Sequence, residues 1–343
     1  MRSVPAIALL IALPVTARAA DAPGGLQEGV VFKDVTPLSR NAEMEKRLVS
    51  PLVAAGLDLE LKRAGKSLRE QPIDLSAERF TVYLPARRPA NGYGLLVYIP
   101  AAGDGRLPAG WAPVLERYGV IFVSAAASGN SENVYDRRIP LAVSAAANIK
   151  QLYAVDPDHV WVGGTSGGSR VAMRVALAYP DLFHGAMLNA GSDAIDNGFI
   201  PLPPRDLLYR FQEASRLVYV TGDQDAVNLS KDSASRGAMR AWCQFNTDTE
   251  TMRRMGHGVA NASSLSRVLE LLNQAPAPDM KKIEACRSDI DKALDGELAA
   301  ANALAQAGKI PEAAAAAGKI DGRYGGLAGA RLLTLMPDGT AKQ

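Results

Sequence analysis

Short apolar runs alternate with helix-like segments through the middle of the chain. The runs are four to six residues long and rich in Val, Ile, Leu and Tyr. This pattern is typical of strands that are buried on both faces of a parallel sheet. We therefore predict a doubly wound, mostly parallel α/β fold. The predicted strands are 79–84, 94–99, 119–124, 159–162, 185–189 and 216–221, with a last strand within 245–255.

Helical periodicity and composition divide the chain into four parts. We predict a signal peptide over 1–20, a partly helical N-terminal extension over 21–78, an α/β domain over 79–275 and a C-terminal helical hairpin over 276–343. The predicted helices are 41–68, 111–117, 140–153, 169–178, 263–272 and 283–307.

The predicted hairpin is charged and rich in alanine. Its segment 308–313 resembles the turn between the two helices of a tetratricopeptide repeat. One such pair of helices cannot bury its own apolar face. We therefore expect the hairpin to pack on the main domain, in preference to a docking role.

The first twenty residues have the three regions of a secretory signal. Arg2 supplies the basic end, 6–15 the apolar segment, and 17–19 a cleavage site of the A-x-A type. We expect cleavage near Ala19 or Ala20, and a periplasmic or secreted protein.

Composition and charge narrow the classes of partner. The chain has 343 residues, of which 48% are hydrophobic and 22% charged, as is usual for a globular protein. Its formal charge of +2 becomes 0 once the two positive charges of Arg2 and Arg18 are removed. Bulk electrostatics then imply no nucleic acid and no anionic lipid as partner, and no apolar run beyond the N-terminus predicts stable membrane insertion. We expect a substrate that is uncharged overall, or one whose charge is recognised locally.

The two cysteines, Cys243 and Cys286, leave two alternatives open. In an exported protein they can close into one intramolecular disulfide, or they can remain two buried apolar thiols. Together with three scattered histidines they show no zinc spacing. We predict no metal and no cofactor.

A serine within a glycine-rich turn is the strongest chemical motif. Residues 163–168 read Gly-Gly-Thr-Ser-Gly-Gly and lie between a predicted strand and a predicted helix. Small residues allow the unusual backbone angles of such a turn and the close approach of a substrate. This context predicts that Ser166 is an activated nucleophile.

A serine nucleophile needs a base, and the base needs an orienting acid. The turn after the strand 216–221 offers Asp223 and Asp225. We favour Asp225, because a residue three positions past Gly222 can curl back over the sheet edge, while Asp223 is better placed to bond the amides of its own turn. Asp193 is the third candidate.

The base is chosen from three histidines. His159 precedes the nucleophile strand within a turn, and His184 precedes the acid in chain order, so we interpret both as structural residues. His257 is flanked by Gly256 and Gly258 between a predicted strand and a predicted helix. It follows the serine and the acid, which is the order expected of a base on a loop after a late strand.

Backbone amides must stabilise the negative charge that develops on the substrate oxygen. The amide of the residue after the nucleophile, Gly167, is the first expected donor. The second should come from the loop after the strand 94–99. Because Pro100 has no amide hydrogen, we select Ala102, with Ala101 as the alternative.

The segments 155–168 and 179–183 resemble the nucleophile region of polyhydroxybutyrate depolymerase-like and feruloyl-esterase-like α/β hydrolases. Those enzymes are typically secreted and cleave carboxylic esters of polyesters or plant-wall polysaccharides. The resemblance extends over about 79–275 and supports Ser166, Asp225 and His257 in the same roles. The chain departs from the family at 100–101, where Pro-Ala replaces the usual His-Gly, and at 136–140, where Asp-Arg-Arg-Ile-Pro replaces an acidic segment.

The leading hypothesis is therefore an exported serine carboxylesterase that works through an acyl-enzyme. A serine peptidase of the prolyl-oligopeptidase type would use the same triad and fold, and a non-catalytic binding protein would keep the scaffold alone.

Overall fold

One sheet of eight strands organises the described residues, which are 24–195, 200–274 and 277–335 of this computed structural model. The strands are β1 Gly25–Val30, β2 Phe80–Leu84, β3 Tyr93–Ile99, β4 Val120–Ala125, β5 Val155–Thr165, β6 Gly185–Asn189, β7 Arg216–Gly222 and β8 Thr247–Met252. They lie in the order β1-β2-β4-β3-β5-β6-β7-β8. Strands β3 to β8 are parallel to one another, whereas β2 is antiparallel to both β1 and β4. The predicted mostly parallel α/β sheet is confirmed.

Eleven α-helices within the described ranges surround this sheet. They are α1 Asn41–Leu48, α2 Pro51–Arg63, α3 Ala112–Tyr118, α4 Ile139–Leu152, α5 Gly167–Ala178, α6 Arg205–Ala214, α7 Ala226–Ala241, α8 Ala262–Leu272, α9 Met280–Gln306, α10 Ile310–Tyr324 and α11 Gly329–Leu333. The predicted signal peptide lies outside the described residues.

Each face of the sheet carries its own apolar core, because successive side chains of a strand point to opposite faces. Val97 and Val162 belong to the core that contains residues of α4, α5, α6 and α7. Leu96 and Trp161 belong to the second core, which contains residues of α3 and α8. Helices thus cover both faces, as a doubly wound sheet requires.

The sequence pattern does not predict strand β1 or helices α6, α7 and α11. Strand β1 reads Gly-Leu-Gln-Glu-Gly-Val, which lacks a regular apolar alternation, and it forms an edge strand by pairing with β2. Helix α7 is composed mostly of small and polar residues, so its buried side is marked by few apolar side chains. Tertiary pairing and packing stabilise these elements more than local pattern does.

The helix predicted over 41–68 is instead two helices, α1 and α2. Val49 and Ser50 between them are extended, with ψ angles of 140° and 153°. Pro51 begins α2, and a residue before proline disfavours helical angles. The proline therefore sets the break.

Helices α9 and α10 form a hairpin that packs against the sheet's helical layer. Ile320 and Tyr324 belong to the larger core, and the rings of Tyr324 and Trp242 meet edge to face with centroids 5.8 Å apart. Arg287 of α9 donates to Gln212 Oε1 of α6 at 2.6 Å. The hairpin therefore packs on the main part of the chain, as expected for a single pair of helices. The domain limits at 79–275 and 276–343 stay predictions.

A disulfide joins Cys243 to Cys286, with Cα atoms 5.8 Å apart. Cys243 follows α7, and Cys286 lies in α9. The disulfide alternative is thus confirmed over two buried thiols, and it links the hairpin covalently to the strand-bearing part of the chain.

Across 24–195, 200–274 and 277–335, none of the helices combines the length and apolar character needed to cross a membrane.

Candidate active site

The carboxyl ends of the parallel strands meet at one edge of the sheet. The strand register pairs Thr165 at the end of β5 with Asn189 at the end of β6, and Gly222 at the end of β7 with Met252 at the end of β8. Ligands of open α/β sheets bind outside such carboxyl ends. Ser166, Asp225 and His257 each follow one of these strands, so the topology brings their loops to the same edge.

Ser166 lies in a strained turn between β5 and α5. Its φ is 55° and its ψ is −119°, a backbone conformation that costs a non-glycine residue roughly 1–3 kcal/mol. A Cβ atom on Gly168 would lie 2.0 Å from the carbonyl oxygen of Ile99, and one on Gly164 would lie 2.5 Å from the Gly168 carbonyl carbon. Only glycine fits at both positions, so the glycine-rich motif is a packing requirement of this turn.

Asp225 and His257 are hydrogen bonded. Asp225 Oδ2 lies 2.7 Å from His257 Nδ1, and the two side chains are 7% and 49% exposed. The histidine loop packs directly on the strand that leads to the aspartate, since a Cβ on Gly222 would lie 2.5 Å from the Gly256 carbonyl oxygen. The predicted acid and base are therefore in contact.

The aspartate is fixed by the helix that it caps. Its Oδ1 accepts from the Asn228 amide at 3.3 Å, and its Oδ2 accepts from Asn228 Nδ2 at 2.7 Å. Burial raises the pKa of Asp225, but the hydrogen bonds from His257 and Asn228 outweigh it, and the pKa lies below its ordinary value. The carboxylate is therefore ionised at neutral pH.

An ionised Asp225 selects one tautomer of His257. Nδ1–H donates to the carboxylate, which leaves Nε2 as the ring nitrogen that can accept a proton. Within the described residues, no hydrogen bond joins the Ser166 hydroxyl to this ring. Catalytic contacts of this kind are often open before a substrate is bound.

Asn189 connects the serine turn to the histidine loop. Its carbonyl oxygen accepts from the Ser166 amide at 2.8 Å, and its Nδ2 donates to the Gly258 carbonyl oxygen at 3.1 Å. Its Oδ1 accepts from the Ala260 amide at 2.8 Å and from Thr165 Oγ1 at 2.9 Å. One fully buried side chain thus holds both loops in register.

The other acid candidates lie apart from the imidazole. Asp193 forms ion pairs with Arg170 and Arg174, each at 3.3 Å. Asp223 is exposed, and its amide donates to the Met252 carbonyl oxygen at 3.1 Å. Of the three carboxylates, Asp225 alone contacts the ring of His257.

The other histidines lie at the opposite edge of the sheet. His159 pairs with Asp156 at 2.9 Å near the start of β5, and His184 immediately precedes β6. Burial lowers the pKa of His184, and its Nδ1 is buried without a hydrogen-bond partner in the structure. Neither ring is placed to contact Ser166.

The two predicted amide donors lie in different segments, one directly after the serine and one after β3. Gly167 is the first residue of α5, where an amide has no acceptor within the helix. Ala102 lies in an exposed loop after β3, and its amide donates to no protein acceptor within the described residues. In the same loop, the Ala101 carbonyl oxygen accepts from the Asn130 amide at 2.9 Å, and the substrate-binding role of the two amides stays a prediction.

The strained serine turn, the mostly parallel sheet and the chain order of serine, acid and histidine occur together here. The chain has the α/β-hydrolase fold. In enzymes of this fold the nucleophile, acid and base follow one another along the chain in the order that Ser166, Asp225 and His257 have here.

Comparison with known proteins identifies a relative of this chain. The poly(3-hydroxybutyrate) depolymerase of Ralstonia pickettii is 30% identical over 136 residues, a match that covers 32% of this chain and 28% of the relative. The match therefore spans less than a third of the relative's length. It confirms the expected resemblance to polyhydroxybutyrate depolymerases. No protein-family model matches the chain.

Solved structures similar to this chain include two esterases and an S-formylglutathione hydrolase. A ferulic acid esterase has a TM-score of 0.44 and 17% identity, covering 57% of this chain and 91% of that chain. S-formylglutathione hydrolase of Staphylococcus aureus has a TM-score of 0.44 and 12% identity, covering 57% of this chain and 93% of that chain. An esterase of Thermogutta terrifontis has a TM-score of 0.40 and 18% identity, covering 64% of this chain and 89% of that chain.

Sequence reasoning missed Asn189 and Asn228, which position the site. Asn228 lies three residues after Asp225, which is the spacing of a helix cap, so local pattern carried a signal for it. Asn189 ends a buried apolar strand, and a polar residue at that place was the available signal. Its partners Gly258 and Ala260 are about seventy residues away along the chain, and that distance hid the role.

Proposed function

We propose that this chain is a serine carboxylesterase that works through an acyl-enzyme. The observation that carries the proposal is the 2.7 Å contact of Asp225 with His257 at the sheet edge where Ser166 occupies a strained turn. A buried, ionised acid behind an accessible imidazole is the arrangement that turns a serine hydroxyl into a nucleophile.

In the proposed reaction, Ser166 Oγ attacks the ester carbonyl carbon while His257 Nε2 accepts the hydroxyl proton. The amides of Gly167 and Ala102 donate to the negatively charged oxygen of the tetrahedral intermediate. When the carbon–oxygen ester bond breaks, the protonated histidine gives its proton to the leaving alcohol. Water, activated by the same imidazole, then hydrolyses the acyl-enzyme and releases the acid. Asp225 stays ionised and stabilises the imidazolium.

We infer that the substrate is a carboxylic ester of a polyester or a carbohydrate, met in the periplasm or outside the cell. The name of the curated relative, a poly(3-hydroxybutyrate) depolymerase, supports the polyester class. The disulfide between Cys243 and Cys286 supports an oxidising compartment. The zero formal charge left without the N-terminal segment supports an uncharged substrate.

The test compares Ser166→Ala with the wild type on a short p-nitrophenyl ester. We expect kcat/KM to fall at least about 10⁴-fold, because no other side chain replaces the nucleophile. Ser230→Ala is the matched control, since Ser230 is an exposed serine on α7. It should retain wild-type activity, and both variants should keep the wild-type melting temperature. Retained activity in Ser166→Ala would reject the assignment.

Two further measurements separate the alternatives. An activated Ser166 should be labelled by a fluorophosphonate. A wild-type protein that neither reacts with this reagent nor hydrolyses esters would instead be a binding protein. A panel of aminoacyl-proline amides tests the peptidase alternative. Turnover of these amides faster than esters would replace the esterase proposal by a peptidase.

A further inference from the structure

Arg138 is a buried arginine without a carboxylate partner. Its exposed fraction is 3%, and among the described residues no aspartate or glutamate forms an ion pair with it. The preceding residue, Arg137, instead pairs with Glu78 at 2.5 Å. Burial lowers the pKa of Arg138, while the charge of Glu132 acts to raise it. A buried charge is costly unless it is compensated, so the oxygens around this guanidinium must account for it.

Three oxygens surround the guanidinium, and all belong to loops beside the nucleophile. Arg138 Nε donates to the Ser128 carbonyl oxygen at 2.9 Å. Arg138 Nη2 donates to the Pro100 carbonyl oxygen at 2.9 Å and to Asn130 Oδ1 at 3.3 Å. The side chain thus ties the loop after β3 to the loop after β4.

These two loops are in direct contact where Ala102 lies. The Asn130 amide donates to the Ala101 carbonyl oxygen at 2.9 Å. A Cβ atom on Gly129 would lie 2.8 Å from the carbonyl carbon of Ala102. The backbone that carries the proposed second amide donor therefore rests on the segment that Arg138 holds.

The side chain of Asn130 lies against the first proposed amide donor. A Cβ atom on Gly167 would be 2.3 Å from Asn130 Oδ1 and 3.2 Å from Asn130 Nδ2. Asn130 is also exposed, so a substrate can reach its carboxamide. The carboxamide thus lies beside Gly167, the first of the two residues whose amides are proposed to bind the substrate oxygen.

Arg138 determines which end of the carboxamide is free. A guanidinium only donates hydrogen bonds, so the atom that it contacts must be the amide oxygen. The Nδ2 group of Asn130 then keeps both hydrogens, and no acceptor within the described residues takes either of them. A free, oriented amide donor beside Gly167 has the chemistry of an oxyanion-stabilising group.

We propose that Asn130 donates a hydrogen bond from Nδ2 to the negatively charged oxygen of the tetrahedral intermediate, and that Arg138 is its positioning residue. The inference rests on the proposed esterase function. Neither residue forms or breaks a covalent bond, and both keep their protons throughout. The hydrogen bond strengthens as the oxygen gains charge, and the positive guanidinium behind Asn130 polarises the amide in the same direction.

The first experiment measures kcat and KM of Asn130→Ala and Asn130→Asp with the same p-nitrophenyl ester. Loss of an oxyanion donor should lower kcat of Asn130→Ala by about 10²-fold and leave KM within about two-fold. Asn130→Asp should be slower still, because a carboxylate repels the developing charge. Ser131→Ala, a change at the next exposed residue, should keep the wild-type kcat.

A purely structural role predicts the opposite order for these two variants. The carboxylate introduced by Asn130→Asp pairs with Arg138, so the melting temperature of this variant should equal or exceed that of the wild type. If Asn130 only held the two loops together through Arg138, Asn130→Asp would therefore keep its activity. Wild-type kcat in either Asn130 variant overturns the inference, whereas low kcat at an unchanged melting temperature supports it.

The second experiment tests whether Arg138 acts through Asn130. Lysine keeps the charge but cannot hold three acceptors in one plane, so Arg138→Lys should lower kcat. In the double variant with Asn130→Ala, the lysine should add little further loss, because its effect passes through the missing amide. Arg137→Lys is the matched control and should keep the wild-type kcat. Full additivity in the double variant overturns the positioning role.

Ser166→Ala distinguishes failure of this inference from failure of the proposed function. If Ser166→Ala is inactive while Asn130→Ala keeps the wild-type kcat, the esterase proposal stands and the inference falls. If the wild type hydrolyses no ester, both fall together. Because Asn130 is exposed, its variants give a result even where Arg138 variants fold poorly.

Discussion

The two ends of the sheet each hold a histidine paired with an aspartate. At the carboxyl end, His257 Nδ1 lies 2.7 Å from Asp225, and at the amino end His159 Nδ1 lies 2.9 Å from Asp156. His159 of the second pair lines a cavity of about 770 Å³, which is also lined by His184. By residue types and distance alone, either end could be read as an active site.

The surroundings of the two pairs differ. At the carboxyl end, the neighbouring turn holds Ser166 at φ 55°, and the amides of Gly167 and Ala102 lack protein acceptors within the described residues. At the amino end Arg216 pairs with Asp248 at 2.8 Å and Arg287 with Glu213 at 2.7 Å, whereas His184 Nδ1 and Arg216 Nε are buried without a hydrogen-bond partner in the described part of the chain.

The disulfide also lies at the amino end, since Cys243 precedes β8 and anchors α9 there. A strained serine turn and unpaired backbone amides mark the end at which we propose chemistry, whereas ion pairs and a covalent link mark the end that stabilises the fold. A histidine–aspartate pair is therefore informative only together with the groups around it.

Replacing each histidine in turn tests this contrast most strongly. His257→Ala should lower kcat/KM by about 10⁴-fold or more, because the serine loses its base. His159→Ala should leave kcat/KM within about two-fold of the wild type, since its ring lies at the other end of the sheet. Hydrolysis of a p-nitrophenyl ester by the purified variants measures both.

The distinction between the two ends of the sheet is wrong if His159→Ala loses as much kcat/KM as His257→Ala, or more. Circular dichroism and the melting temperature should match the wild type for both variants, so that loss of activity is assigned to chemistry and not to unfolding.

The two aspartates give the next largest difference. Asp225→Asn should lower kcat by roughly 10³- to 10⁴-fold, because an amide no longer selects the tautomer with a free Nε2. Asp156→Asn, the matched change at the amino end, should keep the wild-type kcat. Equal activities of the two variants in the ester assay would contradict the role of Asp225.

The lowered pKa of Asp225 also makes stability depend on pH in a defined direction. A carboxyl group with a folded pKa below its unfolded value of about 3.9 stabilises the protein above that pH. This contribution is lost as the pH falls through the folded pKa. Urea denaturation at several pH values measures this effect. The difference in free energy of unfolding between the wild type and Asp225→Asn should become smaller below about pH 4. A constant difference across that range would contradict the lowered pKa.

The smallest effect on activity is expected from the disulfide. Replacing Cys243 and Cys286 by alanine together should lower the free energy of unfolding by about 4 kcal/mol, the chain-entropy value for a sequence separation of 43. The wild-type kcat should persist below the new melting temperature. A loss of kcat in the folded double variant would show that the amino end influences the site.

Several parts of the molecule could be predicted from local pattern, because adjacent residues carry the signal. The buried parallel strands β3 to β7 read as apolar runs, and the glycines around Ser166 report the tight turn directly. The choice of Asp225 and His257 followed from their turns and from chain order. The edge strand β1 and the polar helix α7 were missed because their own residues do not show the burial that neighbouring elements impose.

The sequence by itself determined the sheet, the strained serine turn and the chain order of the three candidate side chains. Each depends on residues a few positions apart, where backbone preference and apolar periodicity act. Only the tertiary structure decided that Asp225 contacts His257, that Asn189 joins two loops and that buried Arg138 holds Asn130 beside Gly167. These contacts join residues that different strands and loops carry, and no local preference specifies which of many polar side chains will meet once the sheet has formed.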